Sequence, residues 1–355
     1  MKRYTQLPTS KILPYDVIII GAGINGCTAA YYLSQAGLNV AIVDKTGIAA
    51  GGSGAAGAFI SPKFHKQGPL KELMDEAYAE AMTFYSTVLA SQTLLKPLLH
   101  ISQDDSEEPI YLEHSAIVDA RSACESLAHG IDFYLLDVQS PTYHDNQWHC
   151  EDLQSTYLVL TIGAYPKILP IDYVGLRGIW GHRIDVTTST DVPHIYHQFV
   201  SISPTMKEGV IAIGATHDVH YSPFDSSATY DIESGRTLLL ENAAKTLKLN
   251  NIIILKDYMG LRSGSNDYMP MLGSLVDTEA TLALHPHLQH GKAVDPKEFV
   301  YYPKAIMING SGGYGFVLAP YLAKRLKEYL VDEIAMDETL SPSRYFPRWA
   351  KRKKG

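Results

Sequence analysis

The chain lacks most of what would mark a secreted, metal-binding or membrane-spanning protein. Three cysteines occur in 355 residues, Cys27, Cys124 and Cys150, and their spacing forms neither a metal-ligand pattern nor a redox pair. No apolar run approaches the roughly 18 residues of a membrane-crossing helix. Residues 1–14 carry Lys2, Arg3 and Lys11 but no apolar segment before Val17, so they do not read as a secretory leader. Internal repeats and low-complexity blocks are also missing. Charged residues make up 19% against 46% hydrophobic ones, a globular balance rather than a disordered one. These absences predict a cytoplasmic location, no membrane association and no bound metal. The length exceeds one ordinary core, so two joined domains are expected.

What is present is concentrated at the front. Residues 15–44, YDVIIIGAGINGCTAAYYLSQAGLNVAIVD, read as an apolar strand (16–20), a glycine turn, a small-residue helix closed by Gly37, and a second strand (38–43) ending in Asp44. Gly21, Gly23 and Gly26 supply G-x-G-x-x-G. The first allows the tight turn, the second lets backbone approach a pyrophosphate, and the third lets the helix pack close to the strand. The helix beginning at Ile24 offers unpaired N–H groups and a positive dipole end to phosphate. Asp44 stands where a ribose hydroxyl would be bound. The arrangement predicts a dinucleotide site.

Two further features select the dinucleotide. Residues 45–58, from Lys45 through Ser53, Gly54, Gly57 and Ala58, are dense in small side chains, which leaves amides uncovered against a large flat ligand. Phe59, Ile60 and Pro62 follow directly and favour a packed loop over a linker. Near the other end, a short strand (305–308) runs into NGSGGYGF (309–316), which holds Gly310, Gly312, Gly313, Tyr314 and Gly315. A helix then opens with Pro320 in its first turn and Val317, Leu318, Tyr321, Leu322 and Leu326 at apolar positions. This second glycine turn can stabilise negative charge on a reduced isoalloxazine. Two such turns predict FAD rather than NAD. No cysteine stands near 310–315, so the flavin is expected to be non-covalent.

The first fingerprint, the S-G-x-x-G-A segment at 53–58 and the closing G-S-G-G-Y-G-F turn resemble the D-amino-acid oxidase and glycine oxidase superfamily of flavoproteins. Residues 260–273, GLRSGSNDYMPMLG, are similar to the G-x-R-x-x-x-x-D-x-x-P-x-x-G block in the oxidase domains of bifunctional tRNA 5-methylaminomethyl-2-thiouridine biosynthesis proteins. Residues 277–282 (DTEATL), Pro62-Lys63 and the basic end after Leu340 continue that likeness, which covers about 15–354 and is loose in the middle third.

The resemblance implies an α/β fold, a Rossmann-like FAD-binding domain interleaved with a mainly antiparallel-sheet substrate domain. We place an N-terminal extension at 1–14, the FAD domain at 15–170 and 258–340, the substrate domain at 171–257 and a basic tail at 341–355. Within the first, Leu70, Leu73, Met74, Ala77, Ala81, Phe84, Tyr85 and Val88 recur at helical spacing. Residues 103–109 read as an acidic surface loop, 120–129 as a helix, and 132–138 as a strand that in the superfamily passes the adenine at Val138. The strand 157–162 would bring Gly163 to the cofactor. The substrate domain reads as short strands such as 210–213 and a helix at 234–247.

The resemblance also assigns chemistry. An arginine in this block clamps the substrate carboxylate in the superfamily, and this places Arg262 as a catalytic residue. Its planar fork suits two parallel charge-assisted hydrogen bonds. Tyr314 stands beside the flavin turn, either to contact substrate or to line the pocket. Lys63 and His65 are weaker candidates for charge near the flavin. His182 and Arg183 sit where relatives often carry Gly-Gln, a departure that bears on substrate identity. The implied reaction is amine oxidation with oxygen as electron acceptor. The implied substrate is the N-substituted glycine side chain of 5-carboxymethylaminomethyl-2-thiouridine at the tRNA wobble position. Nothing upstream of Tyr15 could house a methyltransferase half, so a separate methyltransferase acting on the product is an expected partner. A free amino-acid oxidase acting on glycine, sarcosine or a D-amino acid, and a flavin-binding platform with little turnover, remain alternatives.

Charge is unevenly placed. Residues 341–355 hold six of the 30 basic residues and no acid, leaving 24 basic against 38 acidic side chains elsewhere, a balance of −14. With Tyr345, Phe346 and Trp349 interleaved, this tail could contact phosphates and stack on exposed bases, or be a solvated terminus.

Overall fold

Every second residue of β1 (Tyr15–Ile20) goes to a different core: Val17 and Ile19 pack with the helices on one face, Ile18 and Ile20 with the layer on the other. A strand covered on both faces reads as a continuous apolar run because neither side meets water. The structure is a computed structural model that describes residues 3–4, 14–64, 67–102, 104, 106–165 and 167–353. His65, most of the 1–14 extension and residues 354–355 lie outside the described residues.

From β1 the chain turns into α1 (Ile24–Gln35) and returns in β2 (Val40–Asp44), parallel to β1. Two more helices follow, α2 (Pro69–Val88) and α3 (Ala120–Leu127). Then β3 (Asp132–Leu135) extends the sheet beyond β2, and β4 (Leu153–Leu160) pairs parallel with the far side of β1. All the pairs from β3 to β4 are parallel, the right arrangement for a doubly wound layer. Arg3–Tyr4 adds a short parallel strand on β3, and a hairpin of Thr142–His144 and Gln147–Cys150 extends the β4 side.

The second layer is antiparallel. β5 (Leu176–Thr187), β6 (Ile195–His197), β7 (Ser201–Ile202) and β8 (Val210–Gly214) are followed by α4 (Ile232–Thr246) and β9 (Ile253–Ser265). β9 pairs with β5 over nearly its whole length, and β5 pairs on its other side with β8. One face of this sheet buries Ile184, Val186, Ile211 and Ile213 against Leu239 and Ala243 of α4. The alternating residues, among them Gly181, Arg183, Gly214 and Arg262, line a cleft against the parallel sheet. This mainly antiparallel sheet also draws in Leu98–His100, which pairs parallel with β6, and Ile110–Leu112, both from within 15–170, and β9 runs across the 257/258 boundary.

The chain then re-enters the first sheet. β10 (Met271–Val276) pairs antiparallel with β11 (Tyr301–Asn309), which pairs parallel with β4 and delivers α5 (Gly315–Val331) onto α1 and α2. The last element corrects an expectation. Residues 346–352 form α6 (Phe346–Arg352) and not a free tail. Phe346 and Ala350, four apart and so on one helical face, are fully buried. The Phe346 ring lies 5.5 Å from Tyr173, 5.2 Å from Phe299 and 5.6 Å from Trp349. Arg344 donates to both Asp267 carboxylate oxygens, and the Tyr345 hydroxyl donates to one of them. Apolar area outweighed charge here. The aromatics offered for base stacking close the core under the parallel sheet, and Arg348, Lys351, Arg352 and Lys353 remain exposed.

Candidate functional site: a cleft between the two sheets

The cleft, about 540 Å³, begins where β1 turns into α1. Gly21 has φ +112, and a Cβ there would lie 2.4 Å from the Thr161 carbonyl oxygen; one on Gly26 would lie 1.9 Å from the Gly21 oxygen. Glycine is required at both because backbone meets backbone. Gly23 caps α1 without a side chain. The Ile24 amide is nonetheless occupied, donating to Ser53 Oγ at 2.9 Å. Asp44 ends β2 with its carboxylate organised by backbone. One oxygen accepts from the Ala22 amide at 2.9 Å, the other from Thr46 and Gly47 at 2.8 and 2.9 Å.

The small-residue segment runs along the cleft and against β9. A Cβ on Gly52 would sit 2.6 Å from the Leu261 carbonyl oxygen, so part of the glycine content is set by chain-to-chain packing. Gly21, Gly23, Ile24, Asp44, Lys45, Ser53, Gly57, Ala58, Val138 and Gly163 all line the cleft. Gly54 and Gly26 are not among the lining residues: a Cβ on Gly54 would meet the Ala49 oxygen at 2.0 Å. Both shape the wall from behind.

At the far end, Gly312–Tyr314 forms a single turn that feeds α5 with no side-chain cap on its amides. Gly312, Gly313, Tyr314 and Gly315 line the cleft, whereas Gly310 is packed beneath it, 2.9 Å from Met271 by the position of a Cβ. The two glycine turns are tied together, Asn25 Nδ2 donating to Ser311 Oγ at 3.1 Å. Asn309, almost fully buried, was not singled out from sequence, yet its side chain joins three elements. Its Oδ1 accepts from Ser263 of β9 and from the Gly310 amide, while its Nδ2 donates to the Gly163 carbonyl. A buried polar residue closing the apolar run of β11 was the available signal.

Arg262 opens on this end. Its Nη1 donates to the Thr216 carbonyl at 3.0 Å, and a Cβ at Gly181 would collide with the guanidinium at 2.5 Å. Burial lowers its pKa, and no ion pair neutralises it among the described residues. A desolvated cation without an anionic partner is costly unless something anionic arrives. Arg183 also lines the cleft, donating to the Ala56 carbonyl at 3.1 Å, with Asp185 3.5 Å away. His182, next along β5, points to the opposite face. There its Nε2 meets Asp257 at 2.9 Å, and Arg236 of α4 holds the same carboxylate, keeping its pKa down at about 2. The pair singled out together is thus split by the pleat: Arg183 faces the cleft and His182 braces the outer layer.

Lys63 is nearly fully buried, and its ammonium lies 5.1 Å from the Tyr314 ring centroid; burial lowers its pKa. His197 and Ser201, missed from sequence, line the cleft from β6 and β7, joined by a 2.8 Å hydrogen bond. Burial, and then the neighbouring His100, hold the His197 imidazole neutral, its pKa near 4. Nothing in the local pattern marks a histidine that tertiary packing brings to a ligand.

Comparison with known proteins agrees with this geometry. Residues 16–113 match the family described as DAO, FAD dependent oxidoreductase. The tRNA 5-methylaminomethyl-2-thiouridine biosynthesis bifunctional protein MnmC of Campylobacter fetus subsp. fetus (strain 82-40) is 22% identical, over 95% of this chain and 60% of its own length. N-methyl-L-tryptophan oxidase of Salmonella heidelberg (strain SL476) is 28% identical, over 56% of this chain and 50% of its own. The chain therefore spans between half and three-fifths of these relatives. The crystal structure of glycine oxidase from Geobacillus kaustophilus shares the fold, with a TM-score of 0.73 at 17% identity, covering 93% of this chain and 99% of that one. Among the described residues, no helix is long and apolar enough to cross a membrane, and no cluster of side chains could hold a metal ion.

Proposed function

We propose that this chain, which carries a DAO-family FAD-dependent oxidoreductase domain, oxidises the N-substituted glycine side chain of 5-carboxymethylaminomethyl-2-thiouridine at the tRNA wobble position. The products are 5-aminomethyl-2-thiouridine and glyoxylate. One observation carries the reading: Arg262, a half-buried, desolvated guanidinium with no ion pair among the described residues, shares its cleft with the glycine turn that feeds α5.

The lining suits FAD on its own chemistry. Two helix N-termini without side-chain caps open on one cleft, and an acid ends the second strand. Gly21, Gly23 and α1 would face the pyrophosphate, Asp44 the ribose, Val138 the adenine side, and Gly312, Gly313 and Gly315 the isoalloxazine. The binding is non-covalent in this reading, since Cys27, Cys124 and Cys150 are all buried away from the cleft lining. When bound, the flavin accepts a hydride from a carbon bonded to nitrogen, leaving an imine that water hydrolyses.

The protein's part is positioning. Arg262 takes the carboxylate in a two-pronged contact and so fixes the methylene between carboxylate and amine. Tyr314 and the walls of Phe59 and Leu261 keep the reacting carbon out of water. Lys63 adds positive charge beside Tyr314 while protonated. His197, held neutral, offers no competing charge to the amine. Oxygen is the electron acceptor in this scheme, and a methyltransferase acting on the primary amine is the natural consumer of the product.

The second relative is named for oxidation of N-methyl-L-tryptophan, which likewise joins a secondary amine to a carboxylate, so a free amino-acid oxidase is the competing reading. Anaerobic bleaching of the bound flavin separates the two. Modified tRNA should bleach it faster and at lower concentration than glycine, sarcosine or D-alanine. Rapid bleaching by a free amino acid with none by tRNA would sink the proposal.

A further inference from the structure

We infer that the mouth of the cleft carries a platform for the nucleobase of the substrate, built from Tyr268 and Arg177. The inference rests on the proposal above that the reacting amine hangs from a nucleoside. Tyr268 is 66% exposed, and its backbone holds φ +65. For a bulky residue this left-handed conformation costs on the order of 1–3 kcal/mol, and such strain concentrates at ligand clamps. No core packing repays it, because the ring faces solvent.

The ring's neighbours are cations. The Arg177 guanidinium carbon is 5.3 Å from its centroid, and the Lys63 ammonium is 6.0 Å away. Lys63 in turn lies over the ring of Tyr314, which lines the cleft, so Lys63 links the exposed Tyr268 ring to the glycine turn that feeds α5. Arg177 is exposed and donates from Nη2 to the Ser265 carbonyl at 3.2 Å; no ion pair engages it among the described residues. His217 lies within reach of the charges of both Arg262 and Arg177.

The acids nearby are already engaged. Asp267 is held by Arg344 and Tyr345, and one Asp218 oxygen accepts from the His220 and Tyr221 amides. Asp218 keeps its charge, but Arg177 and Lys63 still set two cations against the Tyr268 ring on a chain whose net charge is −8.

A free glycine or sarcosine has no group to use these features. A nucleotide has both: a flat π face to stack on an exposed aromatic ring, and a phosphate for an unpaired guanidinium. An unstacked anticodon base reaching toward Arg262 would lie across Tyr268, with Arg177 at its backbone.

The test uses the FAD-loaded protein and an anticodon stem-loop RNA carrying the modified uridine. RNA affinity is read by fluorescence anisotropy, and anaerobic flavin reduction is compared for this RNA and for sarcosine. Tyr268→Gly removes the ring and also the strain, so its melting temperature should not fall. Its RNA affinity should drop about tenfold, and the preference for RNA over sarcosine should fall with it. Tyr268→Phe should restore both. Arg177→Ala should weaken RNA binding and flatten its salt dependence by about one phosphate contact. RNA affinity unchanged in both Tyr268→Gly and Arg177→Ala overturns the platform alone. A wild-type protein that sarcosine reduces but the RNA neither binds nor reduces overturns the proposed function and the platform together.

Discussion

Replacing Arg262 by alanine is expected to cripple turnover of carboxylate-bearing amines while leaving FAD in place. Losing one partner of a buried, hydrogen-bonded charge pair costs about 2–5 kcal/mol, or about 30- to 4,000-fold in kcat/KM. The stability effect should run the other way. In the absence of substrate the guanidinium is desolvated and has no ion pair among the described residues, its one hydrogen bond going to the Thr216 carbonyl. Removing a partly buried, desolvated charge that no anion compensates relieves the folded state. Arg262→Met, which keeps much of the volume, should therefore melt no lower than the wild type. Lysine cannot reproduce the planar fork and should recover only part of the activity. Unchanged kinetics on sarcosine and on modified tRNA in Arg262→Ala would remove the carboxylate clamp. A large drop in melting temperature with unchanged affinity would recast Arg262 as a structural residue.

The second large effect is expected at the C-terminus. Phe346→Ala should destabilise the protein by about 3–5 kcal/mol, because a fully buried aromatic ring is lost from among Tyr173, Phe299 and Trp349. With the usual unfolding entropy per residue, that lowers the melting temperature by roughly 4–7 °C. Deleting residues 344–353 removes this ring, Ala350 and the bonds from Arg344 and Tyr345 to Asp267, and should cost more. Activity on tRNA and on small amines should then fall together. A deletion that melts like the wild type and loses only RNA binding would restore the tail to the role its composition suggested.

That reversal shows where sequence patterns mislead. The segment from Tyr15 to Asp44 was legible because its signals are local: β-branched residues alternate between two buried faces, and glycines stand where backbone meets backbone. The turn at 310–315 was legible for the same reason. In residues 341–355, six basic residues mask two apolar positions that fall one helical turn apart in α6, and only the tertiary partners Tyr173 and Phe299 show which property dominates. The long pair of β5 and β9 was hidden differently. Gly178, Gly181, Gly260 and Gly264 interrupt its apolar pattern, and they are small because Leu261, Arg262, Gly52 and Ile179 crowd them. Asn309 and His197 became site residues through contacts between elements far apart in the chain, which no local window contains.

In the proposed reaction Arg262 presents an N-substituted glycine, carried on tRNA, to the flavin. The most direct measurement is a single anaerobic turnover of the FAD-loaded protein with tRNA bearing 5-carboxymethylaminomethyl-2-thiouridine, followed by assay of glyoxylate and of the digested nucleoside. We expect the flavin to bleach, with glyoxylate and 5-aminomethyl-2-thiouridine appearing in amounts equal to the flavin reduced. An intact nucleoside and no glyoxylate, from a protein whose flavin glycine or sarcosine bleaches readily, would contradict the account.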